Sequence, residues 1–270
     1  MPDRTSQLAI SILEARRGRH CIPALTGPDR IADDEAYLVQ QEITAARLAR
    51  GEQVAGWKLG YTSAAMREQM GIADPNFGPL TDVMLLATGA CVPADVIHPK
   101  VEPEIALVMG ADVVDGCSPQ EIRAFVVEAR AALEVVDSIW CGYRFSWADN
   151  TADGSSAAYA VIGPVVPMEG LPGLPLELRR NGLLEGTGVG ANAMGDPFIA
   201  LSWLSHRLAA QGALLRAGDV VITGGLCRAI DFEPGDLIGA RFLGGQTWDV
   251  TVRRGDSGSD LPATDGSLDP

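Results

Sequence analysis

The sequence predicts an α+β protein, a helical N-terminal quarter on a β-rich body. Three observations predict it. Apolar residues recur at helical spacing over residues 5–17, and an acidic start and a following Gly bound a longer helix over 33–49. From residue 78 short apolar runs alternate with Gly, Pro and Asp, as strands joined by turns do. Two further helical stretches, 119–132 and 197–212, interrupt those runs.

In the first helix, Leu8, Ile12 and Leu13 share one side, and "IPALT" follows its end. The second opens on Asp33, Asp34 and Glu35, where acidic side chains suit the helix dipole, and Gly51 follows it. "SAAMREQMG" reads as a helical piece capped by Ser63 and stopped by Gly71. The strand-like runs are "VMLLATGACV", "EIALVMG", "AYAVIGPVV", "PLELRRNG", "DVVITGG", "DLIGARFLGG" and "TWDVTVRR". Helix 119–132 has Pro119 in its first turn, and helix 197–212 runs from Pro197 to Gly212. No repeat or linker splits the 270 residues. The expected organisation is a helical region over 1–75 packed on a β-rich catalytic body over 76–254. A disordered Gly/Ser/Asp/Pro tail is expected over 255–270.

A formal net charge of −14, with no basic stripe, argues against a nucleic-acid partner. No apolar run approaches a membrane span and the N-terminus lacks a signal-peptide core, so the expected location is cytoplasmic. The five cysteines, Cys21, Cys91, Cys117, Cys141 and Cys227, are odd in number and form no CxxC pair. They read as small hydrophobes in a reducing compartment, without a disulfide framework or a thiolate zinc site.

Candidate chemistry begins at "KVEPEIALVMG". Glu102 and Glu104 lie two residues apart in a strand-like run and so share a face, with Ile105, Leu107 and Met109 on the other. Adjacent carboxylates repel each other, and a cation would compensate them, although a solvated strand face fits the same pattern. "ALEVVDSIW" ends in Asp137, a third carboxylate if the two strands are neighbours. Three carboxylates make a hard-oxygen site suited to Mg²⁺ or Mn²⁺ rather than zinc. The chain has only two lysines, Lys58 and Lys100. Lys58, in "GWKLGYTS", either balances negative charge or snorkels to the surface. Asp153 and Ser156 precede a strand and read equally as a polar turn. "EGTGVGANAMGDP" lacks the strand and helix that a dinucleotide fingerprint needs. His20, His98 and His206 form no triad.

The ordered motifs "GWKLGYTS", "FGPLTD", "HPKVEPEIA", "ALEVVDS", "TADGSS", "GTGVGANAMGDP", "ALSWLSHRLAAQG" and "GDVVITGG" with "EPGD" span nearly the whole chain. Together they resemble the hydratase/decarboxylase branch of the fumarylacetoacetate hydrolase superfamily. The resemblance implies a mixed β-roll of the family's C-terminal-domain type with peripheral helices. It implies Mg²⁺ or Mn²⁺ held by Glu102, Glu104 and Asp137; His98, close to the glutamates in the sequence, is expected behind these ligands. It implies catalytic roles for Lys58, Asp153 and Ser156, and substrate contacts at Leu80, Thr223 and Gly224. The implied activity is a lyase of aromatic meta-cleavage catabolism that decarboxylates 4-oxalocrotonate (2-oxohex-3-enedioate) to 2-hydroxypenta-2,4-dienoate through a metal-stabilised dienolate. The alternatives are a 2-oxopent-4-enoate hydratase, a C–C hydrolase of acylpyruvates, and a non-catalytic partner protein. A homo-oligomer, and a complex with a sister hydratase or decarboxylase, are also implied. One departure is Gly154, where relatives carry Asn.

Overall fold

A computed structural model describes residues 3–64, 67–68 and 71–255. Much of the helical piece expected at "SAAMREQMG", and the tail from 256, lie outside the described residues. The chain opens with α1 (Arg4–Arg17), whose N-cap Asp3 accepts from the Ser6 amide at 2.9 Å. α2 (Asp33–Leu48) follows, with its three acidic residues in the first turn.

The β-rich part comprises β1 (Val54–Gly60), β2 (Asn76–Thr81), β3 (Leu85–Ala87), β4 (Cys91–Val92) and β5 (Lys100–Met109). After a short α3 (Pro119–Ile122) come β6 (Val126–Val136), α4 (Trp147–Ala152), β7 (Ala157–Val166), β8 (Pro175–Arg180) and β9 (Leu183–Val189). The long α5 (Pro197–Ala210) then leads to β10 (Val220–Ile222), β11 (Ile230–Asp231), β12 (Leu237–Leu243) and β13 (Thr247–Arg254). No described helix is long and apolar enough to cross a membrane.

The strands form two mixed sheets. The larger runs β2-β1-β10-β5-β6-β7-β3, with β11 on the end of β5, and the smaller runs β4-β13-β12-β8-β9. One face of the larger sheet carries Ile105, Leu107, Leu133 and Val135, in one core with Val250 and Val252 of the smaller sheet and Leu201 and Leu204 of α5. The opposite face buries a smaller cluster, Leu80, Met84, Ala106, Ala132, Ala160 and Ile222. The two periods of side chains on β5 and β6 therefore divide cleanly between two environments.

Three expectations are corrected here. Residues 126–132 are not helix but the first part of β6, paired antiparallel with β5 from Met109↔Val126 to Lys100↔Val136. Glu, Ala and Arg favour helix in isolation, but Ala129, Ala131, Leu133 and Val135 are buried at strand spacing, and ladder pairing overrides local preference. Ser118 and Glu121 form a capping box, and the helix it starts ends at Ile122. Second, residues 1–75 are not wholly helical, because β1 is an inner strand of the main sheet. It pairs with β2 and, in parallel, with β10 through Lys58↔Ile222. Third, Cys21 and Cys141 form a disulfide. A strand-like bridge between Ile22 and Trp140 brings them together, with Ile22 N donating to Ile139 O at 2.7 Å and Cys141 N to Ile22 O at 2.9 Å.

Alkylation of the denatured, unreduced chain is expected to modify Cys91, Cys117 and Cys227 and to spare Cys21 and Cys141. Labelling of all five without reductant would rule the link out. Cys21→Ser is expected to cost about 2–4 kcal/mol in a denaturant titration, the range for a disulfide closing a long loop.

Candidate metal centre

β5 and β6 place Glu102 directly opposite Glu134, on the face that also carries Glu104. A ligand oxygen from each of the three glutamates lies within 4.8 Å of the others. Lys58 comes to the same place from β1, and its Nζ stands 3.1 Å from Glu134 Oε1. Glu104, Glu134 and Lys58 are buried, and Glu102 is half-buried.

Three carboxylates face one ammonium, so the formal surplus is two negative charges. Glu104 Oε2 accepts from the Gly224 amide at 2.7 Å. Glu104 Oε1 has no hydrogen-bond donor, and the Glu134 oxygens have none beyond the ion pair with Lys58. Burial, then repulsion from Glu134, pushes the Glu102 carboxyl up to about 8, against the pull of Lys58. Burial and both neighbouring glutamates likewise hold Glu104 well above the usual carboxylate range. Desolvation works against the charged form of Lys58, but Glu134, Glu102 and Glu104 outweigh it and raise its pKa.

These residues fit a hard divalent cation. The donors are all oxygen, the surplus charge is two, and buried acceptor atoms are left without partners, each of which costs about 1–3 kcal/mol if nothing meets it. The backbone keeps space for the cluster. A Cβ at Gly225 would run into the Glu102 carboxylate, and one at Gly224, which has φ +99°, would run into Thr62.

Lys58 is held from behind by a turn. Its Nζ donates to Ser155 O at 2.8 Å and to Ser155 Oγ at 3.1 Å. Gly154, Ser155 and Ser156 have φ of 69°, 59° and 56°, three consecutive left-handed residues that turn the Ser155 carbonyl and hydroxyl onto the lysine. The two serines carry strain that their surroundings must hold. A buried network does so. Ser155 Oγ donates to Asn76 Oδ1 at 2.9 Å, Asn76 Nδ2 donates to Asn150 and Thr151, and Asn150 Nδ2 donates to Ser156 Oγ at 2.9 Å. Gly154 itself sits at the position where glycine costs least, with open space where a side chain would go.

The structure thus brings together Glu102, Glu104, Lys58 and Gly224. It sets Asp137 apart. Asp137 lies beyond the end of β6, three residues from Glu134, so it does not share that strand face. Its oxygens accept from the Ile97 and His98 amides at 2.9 and 2.8 Å, and Arg16 stands 3.5 Å away. Glu134 takes its place as the third carboxylate. Asp153 is also engaged elsewhere, accepting from Arg16 Nη2 at 2.7 Å and from the Ile139 amide at 3.1 Å. Burial raises its pKa despite that arginine. The Ser156 hydroxyl contacts Asn150, and Ser155 is the serine that meets Lys58. Thr223 Oγ1 donates to Ile105 O at 3.1 Å, and Leu80 is sealed in the small apolar cluster. The His98 ring lies against Tyr143, its Nε2 2.7 Å from Ser138 O, in the Asp137 network.

Glu134, Ser155 and Asn76 escaped the sequence reading. Glu134 was within reach of it, since strand alternation along "ALEVVDS" sets Glu134 and Asp137 on opposite faces.

Asp137→Asn is expected to lower stability by about 1–3 kcal/mol, because a buried charge that meets Arg16 and two backbone donors is lost. Ser155→Ala is expected to cost about as much, by removing two hydrogen bonds from a buried chain. Thermal melts check both, and unchanged midpoints would show that these groups are not held as described.

The comparisons agree with this architecture. The model of the fumarylacetoacetate (FAA) hydrolase C-terminal family matches residues 42–257. A 2-keto-4-pentenoate hydratase of Paraburkholderia xenovorans (strain LB400) is 33% identical over 254 residues, covering 90% of this chain and 93% of that protein. A 4-oxalocrotonate decarboxylase of Pseudomonas sp. (strain CF600) is 34% identical over 250 residues, covering 90% and 94%. Among solved structures, 4-oxalocrotonate decarboxylase from Pseudomonas putida G7, complexed with magnesium and adipate, superposes with a TM-score of 0.86 at 31% identity, covering 94% of this chain and 99% of that one. With most of its length matched by the family model and by both relatives, the chain belongs to the fumarylacetoacetate hydrolase family.

Proposed function

We propose that the chain is a divalent-metal-dependent lyase of an unsaturated 2-oxo acid, decarboxylating 4-oxalocrotonate to 2-hydroxypenta-2,4-dienoate. The observation that carries the reading is the buried trio Glu102, Glu104 and Glu134 with its surplus charge and unpartnered oxygens. The magnesium and adipate of the solved decarboxylase, a cation with a six-carbon dicarboxylate, support it.

The three glutamates would hold Mg²⁺ or Mn²⁺. When bound, the cation supplies Lewis acidity to the 1-carboxylate and 2-oxo oxygen of the substrate. Lys58 spends its three donors on Ser155 O, Ser155 Oγ and Glu134 Oε1, so it orients Glu134 and holds positive charge at the site. In decarboxylation the bond to the distal carboxylate breaks, and its electron pair moves through the conjugated chain toward the 2-oxo oxygen. Lys58 offsets charge that develops there. The Ser155–Asn76–Asn150 chain keeps the lysine from relaxing away. Asp153 and Ser156 act through the turn, by fixing Gly154 and Ser155 on either side.

Hydration of 2-keto-4-pentenoate is the second reading, favoured by a hydratase relative as similar as the decarboxylase one. Both reactions need the same electron sink at the 2-oxo group, and the same residues supply it. We extend the proposal to a homo-oligomer, supported by the edge strand β9, where Leu183 and Leu184 are 74% and 54% exposed. A complex with a sister enzyme belongs to the same proposal.

With Mg²⁺, 2-oxohex-3-enedioate is expected to release CO₂, and EDTA is expected to stop it. Hydration of 2-hydroxypenta-2,4-dienoate without CO₂ release would favour the hydratase, and silence on both would overturn the lyase reading. Lys58→Met is expected to lower turnover by about 10²–10³-fold, the scale of losing one preorganised electrostatic group. A rate within twofold of wild type would remove Lys58 from the chemistry.

A further inference from the structure

A cavity of about 570 Å³ opens between α1, α2 and the β2 and β7 side of the main sheet, apart from the glutamate cluster. Five of the chain's arginines line it: Arg16 and Arg17 of α1, Arg19 just after it, Arg47 of α2 and Arg50 just beyond. In a chain with a net charge of −14, such a gathering runs against the overall field.

The carboxylates that share the cavity wall are largely spent. Asp137 and Asp153 meet Arg16 and three backbone amides. Glu52 accepts from Arg47 at 2.7 Å and from Thr81 Oγ1 at 2.6 Å. Asp95 accepts from the Tyr159 hydroxyl at 2.7 Å. Among the described residues Arg17, Arg19 and Arg50 form no ion pair; Arg50 hydrogen-bonds only to Ala46 O, at 3.2 Å, and lies within the electrostatic reach of Glu52, which Arg47 and Thr81 already hold. Arg16 and Arg47 are locked by their partners and form a fixed wall, whereas Arg17, Arg19 and Arg50 project at its rim.

We propose that this cavity is a second binding site, for a small multiply charged oxyanion. Guanidinium forks match carboxylate and phosphate oxygens in bidentate fashion, and several forks around one concavity suit a ligand with more than one anionic group. The volume falls in the range of ligand pockets and exceeds what a chloride ion needs. Phosphate esters and dicarboxylates share this chemistry.

The test is calorimetric titration of the full chain with inorganic phosphate and, separately, with succinate, at ionic strength held constant by NaCl. Saturable binding of at least one anion is expected, and the arm that saturates assigns the class. Arg17→Gln/Arg50→Gln is expected to weaken it at least tenfold with an unchanged circular-dichroism spectrum. Arg19→Gln alone is expected to weaken it at least threefold, which keeps the test open if the double variant fails to fold. No saturation with either anion, or equal affinity in the wild type and the variants, would overturn the site.

Discussion

The repulsion among Glu102, Glu104 and Glu134 is the constraint on which the rest of the site depends. Buried like charges at this spacing oppose one another, and the single ammonium of Lys58 leaves two charges uncompensated. Such a cluster persists in a fold only if something meets it, by protonation or by a cation. The raised pKa values of Glu102 and Glu104 express the first outcome, and the all-oxygen donor set suits the second.

The architecture serves that cluster. The central ladder of β5 and β6 sets Glu102 opposite Glu134 and gives the other face of both strands to the main core, so the register cannot slip without burying carboxylates among Leu and Val. β10 spaces β1 from β5 and fixes how far Lys58 must reach. The loop after β10 contributes the Gly224 amide and, at Gly225, the room for a carboxylate. Behind Lys58, strain at Ser155 and Ser156 is held by hydrogen bonds to Asn76 of β2 and from Asn150 of α4. α1 reaches the same region from outside, since Arg16 holds Asp153, two residues before Ser155. The disulfide between Cys21 and Cys141 fastens the segment after α1 to the segment that follows β6 and begins with Asp137.

Much of this was legible in the sequence. The period of two in "EPEIALVM" placed Glu102 and Glu104 on one face, an apolar side marked α1, and an acidic first turn marked α2. The order of motifs carried the family. The failures have physical causes. Helix-favouring residues hid the start of β6, whose strand character comes from ten residues paired with β5. Asp137 attracted the metal assignment because the run that ends in it was read as a strand beside the glutamates, while its actual partners, Arg16 and the amides of Ile97 and His98, come from distant segments. Ser155 and Ser156 differ only in which one a left-handed turn aims at Lys58, and no local pattern tells them apart. The cysteine pair is separated by 120 positions, so nothing in its spacing announces it.

The most direct test of the glutamate trio is a Mn²⁺ titration of wild type and Glu134→Gln, with bound ion read by electron paramagnetic resonance. One Mn²⁺ per wild-type chain is expected, with affinity at least tenfold weaker in Glu134→Gln at unchanged secondary structure. Equal affinity in the two proteins would contradict the assignment of Glu134 and reopen the choice of the third ligand.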